Sequence, residues 1–256
     1  MPNNRRQFIK TTAKASAAVY AASMGFSAKS YANIIGANDK VRVGAIGFSD
    51  RFRQTLFPCF NNHYKELNFD FVAVSDLWSK RRNEGVAFLK DKMGHDIIGC
   101  RNNEELYNLK NVDAVFVATS DFQHALHAIE AVKAGCDAYV EKPFAETMED
   151  NRAALKAIKA SNRIIQIGSQ RRSGENYIAA EKFIKEGKFG DITMVELNWN
   201  VNQPGRWRRP SLVAELQEKD TDWKRFLLNR PFEKWDPRKY LEYRLFWPYS
   251  SGMPGQ

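Results

Sequence analysis

From residue 40 onward, short apolar runs alternate with stretches of helical periodicity, and this alternation leaves few possible folds. The clearest run is Val112–Thr119, which is typical of a strand buried on both faces. A regular succession of strands and helices predicts a doubly wound α/β fold, in which crossover helices cover both faces of a parallel sheet. The predicted strands are Val41–Ile46, Phe69–Ser75, Asp96–Cys100, Val112–Thr119, Asp137–Val140 and Ile164–Ile167.

The first predicted strand runs into a loop at the position where a Rossmann fold binds the phosphates of a dinucleotide. The fingerprint Gly-x-Gly-x-x-Gly falls on Gly47, Ser49 and Phe52, so only its first glycine is present. Asp76 ends the second strand, where a carboxylate accepts hydrogen bonds from the adenosine ribose. Gly47 is also compatible with an ordinary strand-to-helix turn, and Asp76 with a helix cap. Together they predict a Rossmann domain over residues 38–160.

Two further loops follow the fourth and fifth predicted strands and belong to the same edge of the sheet. The run that ends at Thr119, the histidine at position 124 and Glu-Lys-Pro at 141–143 resemble the glucose–fructose oxidoreductase, inositol dehydrogenase and rhizopine-catabolism (Gfo/Idh/MocA) family. Gly-Ser-Gln-Arg-Arg at 168–172 and Gly-Asp-Ile at 190–192 fit as well, so the resemblance covers residues 40–256. It implies an NAD(P)-dependent oxidoreductase whose small-molecule substrate is a sugar or cyclitol with a reactive hydroxyl.

The resemblance implies a catalytic role for Lys142, because the lysine of Glu-Lys-Pro lies beside the nicotinamide and the substrate in that family. Its ammonium group can hydrogen-bond the reacting oxygen and stabilise the charge that grows there. A surface lysine beside a turn proline is the alternative. The expected cofactor-binding residues are Gly47, Ser49, Arg51, Asp76, Thr119, His124, Glu141 and Lys142. The expected substrate-binding residues are Lys142, Gln170, Arg171 and Arg172.

The cofactor is expected to be NAD, because the Asp76 carboxylate would repel the 2′-phosphate of NADP. NADP stays possible, since Lys80, Arg81 and Arg82 lie nearby in the sequence. Ser49 and Phe52 replace glycines that normally admit the pyrophosphate, and Asp50 adds a negative charge that Arg51 and Arg53 only partly offset. Weak dinucleotide binding is therefore expected. For His124, a capping or supporting role and proton transfer both stay open.

A second, substrate-binding and oligomerisation domain is predicted over residues 161–256, as the start of an α+β domain with an incomplete mixed sheet. Ile192–Asn200 alternates as a strand covered on one face. Five of the six tryptophans lie from Trp199 onward, and they are expected to lack packing partners. Family members carry an acid/base histidine in this domain, whereas no histidine follows His127 here. We therefore expect an N-terminal fragment, with a homo-oligomer only in the full-length form.

Residues 1–32 are predicted to be a twin-arginine export signal. Asn4-Arg5-Arg6-Gln7-Phe8-Ile9-Lys10 precedes an uncharged stretch that is too short and too weakly apolar to be a stable membrane anchor. Ser30-Tyr31-Ala32 offers small residues for cleavage, and an amphipathic helix is the alternative reading. The predicted location is periplasmic, or otherwise outside the cytoplasm. Export in a folded state implies that the cofactor is bound beforehand.

The formal net charge of +9 is concentrated at this N-terminus, because residues 1–32 contain five basic and no acidic side chains. No long basic stripe with interleaved aromatic residues follows, so nucleic-acid binding is not expected. The three cysteines, Cys59, Cys100 and Cys136, share no metal-ligand spacing and lie in or beside predicted core elements. We expect buried thiols and no metal. Two alternatives to the oxidoreductase stay open: a redox-assisted NAD-dependent glycosidase, and a non-catalytic exported protein that binds a carbohydrate or a dinucleotide.

Overall fold

A computed structural model describes residues 40–198, 200 and 202–252. Six strands form one parallel sheet in the order β3-β2-β1-β4-β5-β6. This architecture is the doubly wound Rossmann-type sheet that the sequence predicts, while the predicted export signal lies outside the described residues. The strands are β1 Val41–Ile46, β2 Phe69–Ser75, β3 Ile98–Cys100, β4 Ala114–Val117, β5 Asp137–Glu141 and β6 Ile165–Gly168.

Helices connect the strands, and several begin at the caps that the sequence indicates. The Asn102 side chain accepts a hydrogen bond from the Glu105 N–H at 2.9 Å, and Thr147 accepts one from the Asp150 N–H at 3.1 Å. Gly135 ends the helix before β5 with a positive φ of 82°. The α-helices are α1 Phe57–Asn61, α2 Ser79–Met93, α3 Asn103–Asn108, α4 His124–Ala134, α5 Met148–Lys159, α6 Glu175–Lys185, α7 Pro210–Glu215, α8 Trp223–Leu227 and α9 Pro237–Leu241.

The sheet reverses its winding direction between β1 and β4, which are neighbours in space although two strands separate them in sequence. The loops that leave the carboxyl ends of these two strands diverge and open a crevice, where ligands of this fold class bind. β6 pairs with β5 and belongs to the same sheet. The sheet therefore continues to Gly168, beyond residue 160 where the sequence analysis ends the Rossmann domain.

Apolar side chains cover both faces of the sheet. On β4, Val115 and Val117 belong to one buried cluster, while Phe116 between them belongs to another. The second cluster is rich in aromatic rings, including Phe71 and Phe52. Phe52 stands where the fingerprint has its third glycine, and its ring is fully buried, with its centroid 5.6 Å from that of Phe71.

The helical segment that begins at Phe52 is wound more widely than a regular α-helix. Phe52–Leu56 forms a π-helical turn directly before α1, instead of a regular α-helical start. In the usual fingerprint the third glycine lets the helix pack closely against the first strand. Here a phenylalanine occupies that contact, and the wider turn accompanies the larger side chain. The fold thus tolerates the loss of this glycine.

The segment after β6 is largely exposed. The predicted strand Ile192–Asn200 is wrong for the part that is described, because residues 192–198 form no strand. Leu197 is 90% exposed and Met194 is 78% exposed. A strand needs a neighbour to pair its backbone groups, and β6 is the last strand among the described residues. Alternation of side chains alone therefore did not create a strand here.

Residues 216–250 pack back onto the sheet domain. Trp223, Phe226 and Tyr249 are each at most 4% exposed and surround Phe122, which precedes α4. The expectation that the tryptophans lack partners is wrong for Trp223 and Trp235, whose rings meet edge to face at 5.4 Å. The same expectation agrees with the exposure of Trp247, which is 78%.

The cysteines follow the sequence prediction only in part. Cys100 and Cys136 are buried thiols, whereas Cys59 on α1 is exposed. No helix in the described ranges is long and apolar enough to cross a membrane.

Candidate functional site

A cavity of about 510 Å³ lies at the carboxyl edge of the sheet. Loops after β1, β2, β4 and β5 form one wall, which we call the strand-end wall, and residues from 206 to 244 line the opposite side. Of the expected site residues, those that line the cavity are Gly47, Ser49, Arg51, Asp76, Thr119, His124, Glu141, Lys142 and Gln170. Arg171 and Arg172 are exposed and do not line it.

Gly47 makes the turn that the fingerprint requires. Its φ is +84°, and a β-carbon there would lie 2.9 Å from Thr119 Cγ2 and 3.0 Å from the Ala118 carbonyl oxygen. Only glycine adopts this positive φ without strain and also avoids the crowding. The Ser49 hydroxyl oxygen accepts a hydrogen bond from the Phe52 N–H at 3.2 Å, so it orders the loop that follows the turn.

Asp76 holds two backbone segments together. One carboxylate oxygen accepts a hydrogen bond from the Phe48 N–H at 2.8 Å, and the other accepts one from the Trp78 N–H at 2.9 Å. Burial raises the pKa of Asp76 to about 6, although these hydrogen bonds and the charges of Arg81 and Arg82 oppose the shift. Asp76 therefore orders the turn ahead of α2, although the capping position of that helix is Trp78 and not Asp76. A carboxylate oxygen has a second lone pair, so ribose hydroxyls can still donate to it.

The charges of the phosphate loop are paired differently from the sequence expectation. Asp50 pairs with Arg53 at 3.3 Å and with Arg81 at 3.2 Å. Arg51 reaches across the loop to Glu141, with a nitrogen–oxygen distance of 3.1 Å. The Asp50 charge is thus offset by Arg53 and Arg81, while Arg51 ties the phosphate loop to the Glu-Lys-Pro loop.

Lys142 follows the last residue of β5, and the peptide bond that joins it to Pro143 is cis. The Glu141 side chain before it is buried, with 4% of the residue exposed. Burial lowers the pKa of the Lys142 ammonium group, with a further lowering by the positive charges of Arg244 and Arg51, against the opposing effect of Glu141 and Asp121. At a given pH the neutral amine is therefore more populated at Lys142 than at a surface lysine.

His124 is buried beneath the cavity, between the two loops that carry Thr119 and Lys142. Its Nδ1 lies 2.7 Å from the Pro143 carbonyl oxygen, and its Nε2 lies 3.2 Å from the Thr119 carbonyl oxygen. Burial lowers the pKa of the imidazole, while the hydrogen bonds to these carbonyl groups oppose the shift. A neutral imidazole carries one N–H, and the shorter contact assigns it to Nδ1, which donates to the Pro143 carbonyl group and favours the supporting role over proton transfer.

Two further polar groups belong to the strand-end wall. The Thr119 hydroxyl oxygen is buried and has no hydrogen-bond partner in the described protein. A buried polar atom without a partner is unusual, and a ligand hydroxyl or amide can satisfy it. Gln170 lies two residues beyond Gly168, which pairs with Glu141 in the sheet, so strand pairing carries Gln170 to the cavity beside Lys142.

The opposite side of the cavity was missed by the sequence analysis. We call Arg206, Trp207, Arg209, Tyr243 and Arg244 the basic wall. The Arg206 and Arg244 guanidinium carbons lie 4.5 and 4.6 Å from the Trp207 ring centroid. The Arg-Trp-Arg-Arg run at 206–209 is the only sequence signal for this wall.

Asp121 anchors the basic wall to the strand-end wall. It is 1% exposed and accepts hydrogen bonds from Arg244 at 2.9 Å, Tyr243 at 3.2 Å and Ser250 at 2.9 Å. Gln123, two residues later, donates to the Phe226 carbonyl oxygen at 2.7 Å. These contacts span more than a hundred residues of sequence, so no local pattern predicts them.

A second polar group lines the cavity below Asp76. His127 Nδ1 lies 2.9 Å from a Glu130 carboxylate oxygen, and the Asn103 amide donates to the same oxygen at 2.8 Å. Ser75 donates to Asn103 at 2.8 Å. These hydrogen-bonded side chains give this part of the cavity a polar lining. Across the described ranges, no group of three or more His, Cys, Asp or Glu side chains is arranged to hold a metal ion.

Comparison with known proteins gives a consistent result. Residues 41–169 match the model of the Gfo/Idh/MocA family, described as an oxidoreductase family with an NAD-binding Rossmann fold. The chain is 27% identical to inositol 2-dehydrogenase of Salmonella typhimurium over 166 residues. This match covers 64% of this chain and 48% of that protein. The chain is 34% identical to inositol 2-dehydrogenase of Klebsiella pneumoniae subsp. pneumoniae over 130 residues. This match covers 48% of this chain and 36% of that protein.

A solved structure shows the same relation. The chain superposes on myo-inositol 2-dehydrogenase from Lactobacillus plantarum with a TM-score of 0.50 and 25% identity, over 60% of this chain and 43% of that one. The chain thus spans about half the length of the curated relatives it matches, or less.

Proposed function

Because the chain belongs to the Gfo/Idh/MocA family of oxidoreductases with an NAD-binding Rossmann fold, we propose that it is an NAD(P)-dependent oxidoreductase that acts on a hydroxyl group of a sugar or cyclitol. The observation that carries the proposal is the convergence of Gly47, Asp76 and Lys142 on one cavity. These residues come from three different strand ends, and each has the chemistry that its proposed role requires.

The residues present fit a dinucleotide. The turn at Gly47 carries the following residues, Phe48 to Arg51, along the cavity edge, and the Asp76 carboxylate suits the adenosine ribose. The buried Thr119 hydroxyl without a partner supplies a further polar contact. When bound, the cofactor accepts or donates the hydride. We propose NAD over NADP, because Asp76 would repel a 2′-phosphate.

Lys142 is the proposed catalytic residue. Its Nζ hydrogen-bonds the reacting oxygen, orients the substrate and stabilises negative charge on that oxygen. Since burial lowers the pKa of Lys142, the neutral amine is more populated and can also accept the hydroxyl proton. Gln170 is proposed to hold a second hydroxyl group. Arg51 and His124 position the loop that carries Lys142 through Glu141 and Pro143.

The test is a single-turnover assay with the full chain. A single turnover reveals slow hydride transfer, in which proton transfer by a positioned group typically contributes roughly 10²–10⁴-fold. Enzyme loaded with NAD is therefore used in excess over each member of a panel of sugars and cyclitols, and NADH absorbance is followed. NADH formation that Lys142→Ala abolishes, with NAD affinity unchanged, supports the proposal.

The same assay separates the alternative functions. Tight NAD binding without NADH formation from any substrate would favour the non-catalytic binding protein, and Ser49 and Phe52 in the phosphate loop are the observation behind that alternative. With glycosides added to the panel and the released sugar measured, cleavage without net NADH would favour the redox-assisted glycosidase. No binding of either dinucleotide would overturn the oxidoreductase proposal altogether.

We further propose that residues 1–32 direct export by the twin-arginine pathway. The paired substitution of Arg5 and Arg6 by lysine should retain the protein in the cytoplasm, while Lys10→Arg should leave its location unchanged. Cell fractionation and immunoblotting measure this. Equal export of the wild-type chain and the double variant would overturn the proposal.

A further inference from the structure

The basic wall has a charge that the proposed reaction does not use. The cavity-lining residues between positions 206 and 244 include four arginines, Arg206, Arg209, Arg225 and Arg244. None of the cavity-lining residues in this range is an aspartate or a glutamate. Arg225 pairs with Glu104 and Asp222, on the side of the cavity near α3. The other three guanidinium groups belong to the basic wall, and a cavity for a neutral sugar does not need them.

Two of these arginines have no carboxylate partner within the described part of the chain. Arg206 stacks on Trp207 and makes no ion pair there. The Arg209 side chain donates to the backbone carbonyl oxygens of Arg206 and Arg208, at 3.1 and 3.0 Å. Their positive charges are therefore not cancelled by the protein.

The carboxylates near this wall lie behind it. Asp121 and Glu242 are 1% and 4% exposed, and neither lines the cavity. Asp121 holds Arg244, while Glu242 pairs with Arg208 and Arg238 and accepts a hydrogen bond from the Arg209 backbone N–H at 2.6 Å. The buried acids fix the wall in place and leave its cavity surface positive.

We propose that the substrate is an anionic sugar or cyclitol, which places a carboxylate or a phosphate ester against Arg206, Arg209 and Arg244 while its reacting hydroxyl faces Lys142. This inference rests on the proposed function. Guanidinium groups bind carboxylate and phosphate oxygens with paired hydrogen bonds, which makes arginine the suited residue for such a group. The phosphate loop at Gly47 belongs to the strand-end wall, whereas these three arginines belong to the basic wall.

The experiment compares matched ligands on the full chain by isothermal titration calorimetry. NAD is titrated first, and the NAD-saturated protein is then titrated with glucose, glucuronate and glucose 6-phosphate. We expect at least one anion to bind about tenfold or more tighter than glucose, with the preference falling as salt is added. The glucuronate and glucose 6-phosphate arms show whether the wall selects a carboxylate or a phosphate.

Arg206→Gln is the informative variant, because Arg206 is exposed and its loss breaks no ion pair within the described residues. It should weaken anion binding about tenfold and leave glucose binding and NAD binding unchanged. Arg206→Lys should retain part of the preference. Arg152→Gln is the control, since Arg152 is exposed on α5 and does not line the cavity.

The outcomes separate this inference from the proposed function. Equal binding of glucose and both anions, or no effect of Arg206→Gln, would overturn the anionic substrate and leave the oxidoreductase intact if NAD binds. Competition between glucuronate and NAD would show that the arginines serve the cofactor, which also overturns it. Failure of NAD to bind would overturn both.

Discussion

The arginines of the strand-end wall pair with carboxylates on the same wall. The arginines of the basic wall pair with buried carboxylates behind it, or have no carboxylate partner among the described residues. Arg51 pairs with Glu141, and Arg81 pairs with Asp50, so these charges largely cancel at the cavity edge. On the basic wall, Arg244 is held by the buried Asp121, and Arg206 stacks on the Trp207 ring. The first wall suits a ligand that is positioned by backbone and hydroxyl groups, and the second suits one that brings negative charge.

The two walls also differ in how they are built. The strand-end wall consists of loops that leave adjacent strands, so sheet pairing alone brings them together. The basic wall depends on one aromatic cluster around Phe122 and on the hydrogen bonds of Asp121. This difference gives the first and largest prediction.

Phe122→Ala should detach the basic wall from the strand-end wall. Phe122 is fully buried, and its ring lies 5.5 Å from Phe226 and 5.3 Å from Tyr249. Its truncation should lower the free energy of unfolding by about 3–5 kcal/mol, as for other buried phenylalanines. Urea unfolding followed by tryptophan fluorescence measures this loss. Phe232→Ala is the control, because Phe232 is 78% exposed and its loss should cost less than about 0.5 kcal/mol. Equal losses would contradict the anchoring role.

Gly47→Ala should disturb the strand-end wall at its turn. The positive φ and the contact with Ala118 should together cost about 2–3 kcal/mol and weaken NAD binding. Gly94 offers a matched control: its φ is +78°, but a β-carbon there would have no atom within 4 Å. Gly94→Ala should cost about 1 kcal/mol and leave NAD binding unchanged. Thermal unfolding and NAD titration of both variants decide the point, and equal effects would show that the crowding is unimportant.

Most of the strand-end wall could be predicted from the sequence, because each of its residues follows a buried apolar run. Val41–Ile46 leads to Gly47 and Phe69–Ser75 leads to Asp76, so knowing the strands locates the loops. Their partners were less predictable: Arg51 was expected to offset Asp50, yet it pairs with Glu141, 90 residues away. Side-chain pairing across a sheet edge depends on three-dimensional distances that sequence spacing does not give.

The basic wall could not be predicted, and the reason is the absence of periodicity. Residues 203–209 show neither strand nor helix patterning, and their position depends on Glu242 and Arg244, which lie far away in sequence. The reverse error occurs at Ile192–Asn200, which has strand patterning but no neighbouring strand among the described residues. A local pattern predicts a structure only where a partner is available to complete it.

Arg51→Met tests whether pairing within the strand-end wall matters. Glu141 is 4% exposed, so the loss of its partner leaves a buried carboxylate with less compensation, and we expect a loss of about 1–2 kcal/mol. Arg53→Met is the control, because the Arg53–Asp50 pair is more exposed, at 40% and 36% of the side chains, and contributes about 0–0.5 kcal/mol. Chemical denaturation compares them. A larger loss for Arg53→Met would break the distinction between buried and exposed pairs.

The smallest expected effect concerns the choice between NAD and NADP at Asp76. Burial raises the pKa of Asp76 to about 6, so the carboxyl group is mostly ionised above that pH and mostly neutral below it. An ionised Asp76 repels a 2′-phosphate, and the interaction of two unit charges about 4 Å apart in water is worth about 1 kcal/mol, or roughly fivefold in affinity. The preference for NAD over NADP should therefore be present at about pH 7.5 and shrink as the pH falls to about 5.

Titration of both dinucleotides at several pH values measures this preference. The 2′-phosphate itself gains a proton near pH 6, which also reduces the repulsion. Asp76→Asn separates the two effects, because any pH dependence that it retains belongs to the phosphate. This variant should lose most of the preference at about pH 7.5, since its side chain is neutral at every pH tested. A wild-type chain that binds NADP more tightly than NAD at neutral pH would show that Arg81 and Arg82 outweigh Asp76 at this end of the strand-end wall.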